Sequence, residues 1–432
     1  MFLFNIKKIH FIITILIPLG IASGPAISDW LISLSGIFFL IIIFNERKWN
    51  YFNNLPFKIF IIWCIYIILL SLFSKNFYLS LESSLFYFRF GIYSLSIWYL
   101  LDSYRSFPKY FFYLLFGVFI FVLSDALFQF IAGQNFFGYP DMDSNGNKRL
   151  SGIFGEEFVL GSFIARLLPI LIGIILLNQI NKKFQIPLMI FLIIFSIIIV
   201  YLSGERSAFF YSVISSLFIL FFILEGKLIK VITISFSLLV IIFISINFNH
   251  GKERIFDLTL KQFNLFGNNT SNGIIYNDLK FFSVQHEVIY KTALKIFNDN
   301  KVFGIGPKMF REICQNEKYY TFTDLDGSIN GCQTHPHNTY LQLLTETGIL
   351  GTIPILFLLS LSTFFLIKKI FIVKKNIHYN NNNYFFCMIL ATFITLWPLI
   401  PTGNFFNNWL SSIYFMPIGF ILHYHYKEMA KK

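Results

Sequence analysis

Charged residues are scarce in this sequence. Asp, Glu, Lys and Arg make up 13% of its 432 residues, whereas hydrophobic residues make up 56%. Soluble domains carry about 25% charged residues. Several apolar runs approach or exceed the roughly 18 consecutive residues that cross a lipid bilayer. The composition therefore excludes an ordinary soluble domain and indicates a membrane protein with many spans.

The charge that is present is mostly positive, with a formal net charge of +12. No basic patch or tail gathers it, because the lysines and arginines are dispersed between the apolar segments. A nucleic-acid-binding protein concentrates its basic residues on one face or in one tail, so we do not expect a nucleic-acid partner. The dispersion is typical of the basic residues that mark cytoplasmic loops.

Twelve apolar segments predict an all-α polytopic integral membrane protein. The predicted spans are 9–23, 25–44, 56–73, 84–101, 110–131, 157–178, 184–202, 207–225, 228–247, 344–367, 384–401 and 407–424. Both termini then lie on one side, and the short loops opposite hold only Lys75, Lys148, Arg149 and Arg206 as basic residues. This asymmetry places both termini in the cytoplasm. The first run lacks a small-residue cleavage site with a polar exit, so we interpret it as a retained span.

One connection is much longer than the others. Residues 248–343 are polar and face the side opposite the termini. The chain therefore divides into helices 1–9 (1–247), a large external loop containing helices (248–343), and helices 10–12 with a cytoplasmic tail (344–432). A connection of this length is too long for a simple linker, and we expect function in it.

The four cysteines differ in their surroundings. Cys64 and Cys387 lie in apolar runs, whereas Cys314 and Cys332 lie in the external loop. An external compartment is oxidising and favours a Cys314–Cys332 disulfide, which would stabilise by about 3 kcal/mol in the chain-entropy model. The alternative is two unrelated thiols.

Two histidines flank a proline immediately before the tenth span, in HPHN from His335 to Asn338. Pro336 disfavours helix at His335 and suits the first turn of a following helix, so His337 and Asn338 are expected in the opening turn. A helix N-terminus favours a bound anion and disfavours protonation of a nearby histidine. His337 is thus a candidate neutral base, with a capping or packing histidine as the alternative. His335 either contacts substrate or shapes the turn.

We expect no metal at the two histidines. An H-x-H pair binds zinc only with further ligands, and the external loop offers few at regular spacing. Upstream, residues 278–299 predict an amphipathic helix with His286 at the edge of its apolar stripe, where a histidine is usually a packed residue. Gly304 and Gly306 then predict a tight turn. Without a preceding strand or a completing G-x-x-G, this turn is not a dinucleotide site.

Arg149 and Arg206 stand out because the short external loops hold little charge. The guanidinium fork binds phosphate through two parallel hydrogen bonds, so either residue suits a lipid diphosphate at headgroup depth. Snorkelling to the interface is the alternative for each. Arg89 and Arg166 lie inside predicted spans, where a charge is costly, and are secondary candidates. Three external carboxylates are available to pair with these arginines or to receive a proton: Glu156, Glu157 and Glu205.

Four segments, in this order around one long external loop, resemble the bacterial O-antigen ligase and polymerase superfamily. They are RLSGIFG, SGERSAFF, ALKIF with VFGIGPKMF, and HPHNTYLQLLTETGILG. The resemblance extends from about Tyr110 to Pro354, and the twelve-span plan agrees with the ligases. Its most specific part is His337-Asn338 followed by Gly348.

The resemblance implies a glycosyltransferase in the bacterial inner membrane, among membrane lipids, with its active site facing the periplasm. Such an enzyme moves a glycan from an undecaprenyl diphosphate carrier to an acceptor, which in ligases is the lipid A–core, without a metal or another cofactor. His337 matches the essential histidine proposed to deprotonate the acceptor hydroxyl. Arg206 matches an arginine proposed to hold the diphosphate, and Arg149 matches the arginine before S-G-I-F. Asn338 is a further substrate-binding candidate.

The chain departs from the family at His286, where many members have an arginine. A histidine there is charged only part of the time near neutral pH, so the second diphosphate contact stays open. Alternatives also stay open for the reaction: an O-antigen polymerase, or a protein O-oligosaccharyltransferase. A transporter or flippase is a more remote alternative, because few charges lie within the spans and alternating access needs no long external domain.

Overall fold

The structure is a computed structural model that describes residues 2–143, 146, 148–178, 180–248, 250–262, 282–321, 330–374 and 383–429. It is 77% helical. Within the described ranges, extended pairing is limited to two isolated bridges, Gln134 with Pro140 and Met142 with Lys148. The predicted all-α class is confirmed.

The α-helices follow one another along the chain with short connections. They are α1 (Phe2–Ser23), α2 (Pro25–Glu46), α3 (Leu55–Leu72), α4 (Phe77–Ser84), α5 (Phe88–Ser103), α6 (Phe107–Ala132), α7 (Leu160–Leu177), α8 (Lys182–Leu202), α9 (Arg206–Phe222), α10 (Lys227–Asn247), α11 (Leu258–Gln262), α12 (Val284–Asp299), α13 (Phe310–Ile313), α14 (Thr339–Lys374), α15 (Asn383–Thr395) and α16 (Asn408–Met429). A π-helical turn, Lys252–Asp257, precedes α11, and 3₁₀ turns occur at Trp49–Phe52, Gly152–Phe154 and Glu317–Tyr319.

Eight described helices are long and apolar enough to cross a membrane: α1, α2, α3, α6, α7, α8, α10 and α14. The other four predicted spans fall on α5, α9, α15 and α16, which are shorter or more polar. Two predicted boundaries are wrong. The span 384–401 is too long because Pro398 follows the end of α15 and disfavours helix just before it. The span 84–101 begins too early, because a turn separates α4 from α5.

Helix α7 is the innermost element, and nearly all of its side chains are buried. It packs against α8, α9 and α15. Small residues allow this close approach in a membrane, where burial of apolar surface does not drive helix association. A Cβ on Gly161 would lie 3.0 Å from the Cβ of Ala208 in α9. The first turn of α7 therefore lies directly against the turn between α8 and α9.

Helix α14 is interrupted at Gly348, which has φ 65° and ψ −172°. The predicted tight turn at Gly304 and Gly306 fills the break. The N–H of Ile305 donates to the Thr345 carbonyl at 3.0 Å, and the N–H of Gly306 donates to the Glu346 carbonyl at 2.8 Å. Non-helical backbone at membrane depth needs such partners. The contact fixes the external loop to the helix that follows HPHN.

Part of the external loop has a small core of its own. Helix α12 begins at Val284 and is capped by Ser283. The predicted helix, which starts at residue 278, is therefore wrong at Phe282 and Ser283, which are not helical. Residues 278–281 lie outside the described ranges. Its apolar stripe packs as expected on residues of α13 and the turns around it. The buried members of this cluster are Ile289, Tyr290, Ala293, Ile296, Phe310, Cys314 and Tyr319.

Candidate active site

Three histidines that the sequence singles out lie together. The ring of His337 is 4.0 Å from that of His335 and 5.8 Å from that of His286, centroid to centroid. His286 comes from the first turn of α12, and the other two come from the segment that leads into α14. The external loop and the membrane helix therefore meet at His337.

His337 does not lie in the opening turn of a helix, so that prediction is wrong. Its φ is 54°, in the left-handed region, and α14 begins two positions later at Thr339. Its carbonyl accepts hydrogen bonds from the N–H of Thr402 at 2.8 Å and from the Tyr290 hydroxyl at 3.5 Å. A non-glycine residue in this conformation costs about 1–3 kcal/mol and persists only where its surroundings fix it. The candidate base therefore has a strained backbone.

Asn338 explains why the helix begins where it does. Its Oδ1 accepts from the N–H groups of Tyr340 at 3.0 Å and Leu341 at 3.1 Å, which is N-cap geometry. Its Nδ2 donates to the Pro398 carbonyl at 2.8 Å, and the side chain is buried. These contacts give Asn338 a helix-capping role, and its substrate contact stays a prediction.

Burial disfavours the protonated form of all three imidazoles. It lowers the pKa of His337 below the ordinary histidine value. Burial lowers the pKa of His286 to about 4, with smaller contributions from His337 and Arg206. Burial also lowers the pKa of His335 to about 3, with His337 acting in the same direction. His286 is therefore neutral near pH 7 and does not replace the charge of an arginine, contrary to the expected partial charge.

Arginines converge on the turn between α8 and α9. Arg206 begins α9, and Arg254, from the π-helical turn, donates through Nε to the Gly204 carbonyl at 3.3 Å. A Cβ on Gly204 would lie 3.7 Å from Cγ of Arg149. The Arg149 guanidinium lies 4.0 Å from the centre of the Phe158 ring, and its Nε is buried without a hydrogen-bond partner among the described residues. Burial lowers the pKa of Arg149 to about 10, and the charge of Arg254 adds to this. We name Arg149, Arg206 and Arg254 the arginine cluster.

Glu205 holds the arginine cluster against α7. Its carboxylate accepts hydrogen bonds from the N–H of Gly161 at 2.6 Å and of Ser162 at 3.1 Å. Burial raises the pKa of Glu205 to about 7, although these N–H groups and Arg149 and Arg166 oppose the shift. Glu205 is thus a fixed acceptor within a cationic region.

A cavity of about 500 Å³ adjoins His335. Its wall includes His335, Glu205, Arg166 and Arg311, and the segment 401–410 closes one side. The Cys314–Cys332 disulfide joins the end of α13, which carries Arg311, to the segment before His335. The two Cα atoms are 5.1 Å apart. Neither Arg311 nor segment 401–410 is singled out by the sequence.

The remaining sequence candidates lie elsewhere. Arg89 forms an ion pair with Asp29 at 2.5 Å, which accounts for its charge without a substrate. Glu156 and Glu157 are exposed before α7. Within the described ranges, no three His, Cys, Asp or Glu side chains come together as metal ligands.

Residues 191–356 match the family model described as O-Antigen ligase. The matched range includes Arg206, His286, His337 and the break at Gly348, whereas Arg149 and Arg166 precede it. A comparison with curated proteins finds no match. The chain is therefore a helical protein with several candidate membrane spans, and its residues 191–356, less than half of its length, are similar to the O-antigen ligase family.

Proposed function

We propose that the protein transfers a glycan from undecaprenyl diphosphate to a lipid A–core acceptor at the periplasmic face of the bacterial inner membrane, with His337 as general base. The observation that carries this proposal is the position of His337. The half-buried imidazole lies between His286, which interacts electrostatically with Arg206, and His335, which lines the cavity. The proposed base therefore lies between a histidine near the arginine cluster and a histidine in the cavity wall.

The arginine cluster is assigned to the donor diphosphate. Arg149 and Arg254 both approach Gly204, two positions before Arg206, so three like charges lie around one short turn, where Asp143 lies 3.9 Å from Arg254. Their mutual repulsion and partial burial are offset when a diphosphate binds among them, because arginine donates paired, charge-assisted hydrogen bonds to phosphate. Fixed cations also stabilise the charge that develops on the departing diphosphate.

His337 is assigned to the acceptor hydroxyl. Its lowered pKa keeps the imidazole neutral and able to accept a proton near pH 7. The hydroxyl oxygen attacks the anomeric carbon and its proton passes to His337, while the electron pair of the carbon–oxygen bond leaves with the diphosphate. Attack from the face opposite the leaving group inverts the anomeric configuration. General-base assistance contributes about 10²–10⁴-fold to such a step, and in this proposal arginines supply the positive charge without a metal.

A reconstituted transfer assay tests the proposal. The full-length protein is placed in liposomes with carrier-linked glycan and lipid A–core, and the products are separated on gels and identified by mass spectrometry. Glycan on the lipid A–core is the expected result. Longer carrier-linked chains with unmodified lipid A–core would identify a polymerase instead.

The matched variants are His337→Ala and His425→Ala. We expect His337→Ala to reduce transfer by about 10²-fold or more, the contribution of a general base. His425 is exposed near the end of α16, away from the site, and its replacement should leave transfer unchanged. Both variants should insert into membranes to equal levels. Near-normal transfer by His337→Ala would rule out the assigned base.

A further inference from the structure

The cavity beside His335 has features of a substrate subsite that the arginine cluster does not explain. Its volume of about 500 Å³ lies within the range of about 300–1,000 Å³ of small-molecule sites. The wall combines the first half of α7, the start of α9, Arg311 and the segment 401–410. Arg149, Arg206 and Arg254 do not line it. The cavity is therefore a second cationic region. It lies next to His335, whereas the arginine cluster is near His286.

Buried nitrogens in the wall lack partners. Arg166 is only 3% exposed. Its Nε, the Nε of Arg311 and the Nε2 of His335 are buried and have no hydrogen-bond partner among the described residues. Buried polar groups in proteins are nearly always paired, and an unpaired one costs free energy. Arg166 and Arg311 therefore bring incompletely paired guanidinium groups to the cavity wall.

Surrounding contacts hold the Arg166 guanidinium and the backbone at Arg311 in place. Arg166 donates to the hydroxyl of Ser162 and its guanidinium lies 5.1 Å from the centre of the Tyr211 ring. Arg311 follows Phe310, whose N–H donates to the carboxylate of Glu346 at 3.2 Å. The disulfide after α13 restrains Arg311 further. The Arg166 side chain and the backbone that carries Arg311 are thus preorganised, which reduces the entropy that binding must overcome.

The wall keeps a positive charge balance. Glu205 is the one acidic residue among the described lining residues, and both of its oxygens already accept backbone hydrogen bonds from Gly161 and Ser162. Two arginines therefore face one occupied carboxylate. The charge balance favours an anionic ligand over a neutral or cationic one.

The uncharged part of the wall suits a sugar. Trp409 and Phe158 present aromatic surface, and Thr402, Asn404 and Asn407 add hydroxyl and amide groups. Aromatic surface with a few fixed polar groups is the usual composition of a small-molecule site.

We propose that this cavity binds a negatively charged sugar residue of the acceptor glycan, with Arg166 and Arg311 holding its carboxylate or phosphate. This inference rests on the proposed function, in which the arginine cluster holds the donor diphosphate. Because the His335 ring lies 4.0 Å from the His337 ring, a sugar in the cavity places its neighbouring hydroxyl close to the base. The cavity then selects acidic acceptors.

The test measures acceptor binding and turnover separately. Full-length protein in detergent micelles is titrated with three probes: native lipid A–core, phosphatase-treated lipid A–core, and lipid A–core whose carboxylates have been amidated. The variants are Arg311→Gln, Arg166→Gln and Arg311→Lys, and the control is Arg105→Gln, an exposed arginine between α5 and α6. The same proteins in liposomes give KM for donor and acceptor.

We expect Arg311→Gln and Arg166→Gln to weaken binding of native lipid A–core and to raise its KM by about 10- to 100-fold, the loss typical of a hydrogen bond to a charged group. The KM for the donor should stay unchanged. Arg311→Lys should recover part of the affinity, and Arg105→Gln should match the wild type. One of the two modified probes should bind the wild type as weakly as the native probe binds Arg311→Gln. Weak binding of the phosphatase-treated probe identifies a phosphate as the anionic group, and weak binding of the amidated probe identifies a carboxylate.

Equal binding of all probes by the wild type, or no binding of any probe, would overturn the inference. Unchanged acceptor affinity in both glutamine variants would overturn it as well. A raised KM for the donor would also overturn it, because that result would place the diphosphate in the cavity. Charge-dependent binding without any transfer would instead contradict the proposed function and support the subsite. The two proposals therefore fail separately.

Discussion

His337, the proposed base, combines a strained backbone with a partly buried side chain. The left-handed backbone holds the residue outside α14, and its carbonyl is fixed by Thr402 and Tyr290. The imidazole can then point away from the helix that Asn338 caps. Burial keeps it neutral, which a general base requires. One residue thus combines a fixed backbone with an unprotonated ring.

The pH dependence of transfer tests this protonation state. Because burial lowers the pKa of His337 below 6.5, the basic form predominates above pH 6.5 and is lost only as the pH falls further. We expect kcat to fall as the pH is lowered, with the midpoint of the decline below pH 6.5. The liposome assay at saturating substrates measures this profile. A midpoint at or above pH 6.5 would show that the base is a group with an unshifted or raised pKa.

Arg206 is the residue whose replacement tests the grip on the diphosphate. Arg206→Lys retains the positive charge but replaces a planar fork with a point charge. We expect transfer to fall by about tenfold or more, the cost of a lost charge-assisted hydrogen bond. Arg105→Lys, at an exposed position, should leave transfer unchanged. Wild-type rates for Arg206→Lys would contradict paired binding of phosphate.

At the scale of elements, the break in α14 joins the external loop to the membrane helix. The carbonyls of Thr345 and Glu346, which a continuous helix would use itself, accept from Ile305 and Gly306. The N–H of Ile349 donates to the Lys301 carbonyl at 2.9 Å. The three hydrogen bonds place α12 and α13, with His286 and Arg311, on the helix that follows His337.

Gly348→Ala tests the junction. A Cβ there would lie 2.2 Å from the Val302 carbonyl oxygen, and the residue has φ +65°. The left-handed conformation alone costs an L-residue about 1–2 kcal/mol, so we expect a lower melting temperature in detergent and reduced transfer. Gly117→Ala in α6 is the matched control, because nothing lies within 4 Å of its added Cβ. Equal melting temperatures for both variants would show that the junction is not required for stability.

At the scale of the whole molecule, the disulfide bears on topology. Cys314 and Cys332 are joined in the external loop, whereas Cys64 and Cys387 are free and buried. A structural disulfide persists in an oxidising compartment and not in the cytoplasm. The pair thus supports the proposed placement of the loop on the periplasmic side.

Mass spectrometry of unreduced peptides from freshly isolated membranes checks this arrangement. We expect the peptides of Cys314 and Cys332 to be linked and the two buried cysteines to be free. A double Cys→Ser variant should be less stable by about 3 kcal/mol in the chain-entropy model, measured as easier unfolding of the loop by limited proteolysis. Free thiols at both loop positions would contradict the disulfide and the proposed compartment.

The local signals in the sequence predict some features correctly and others not. The apolar stripe of α12 and the turn at Gly304 and Gly306 follow from side-chain spacing and glycine conformation. The helix start at Thr339 does not, because Pro336 and Asn338 both favour helix beginnings and only their competition in the folded loop selects the cap. The protonation of His286 is also missed, since burial is a tertiary property.

The sequence by itself determined the all-α membrane class, because the length and apolarity of each segment decide whether it spans a bilayer. It also determined the candidate residues His337, Arg206 and Arg149. A polar side chain at the end of an apolar run is costly to place near a membrane, so it indicates a function. Only the tertiary structure decided which groups share a site. Arg149 and Arg254 both lie near Gly204, and Arg166 and Arg311 both line the cavity. These pairs come from distant parts of the chain, so no local pattern encodes them, and the packing of α7 against its neighbours brings them together.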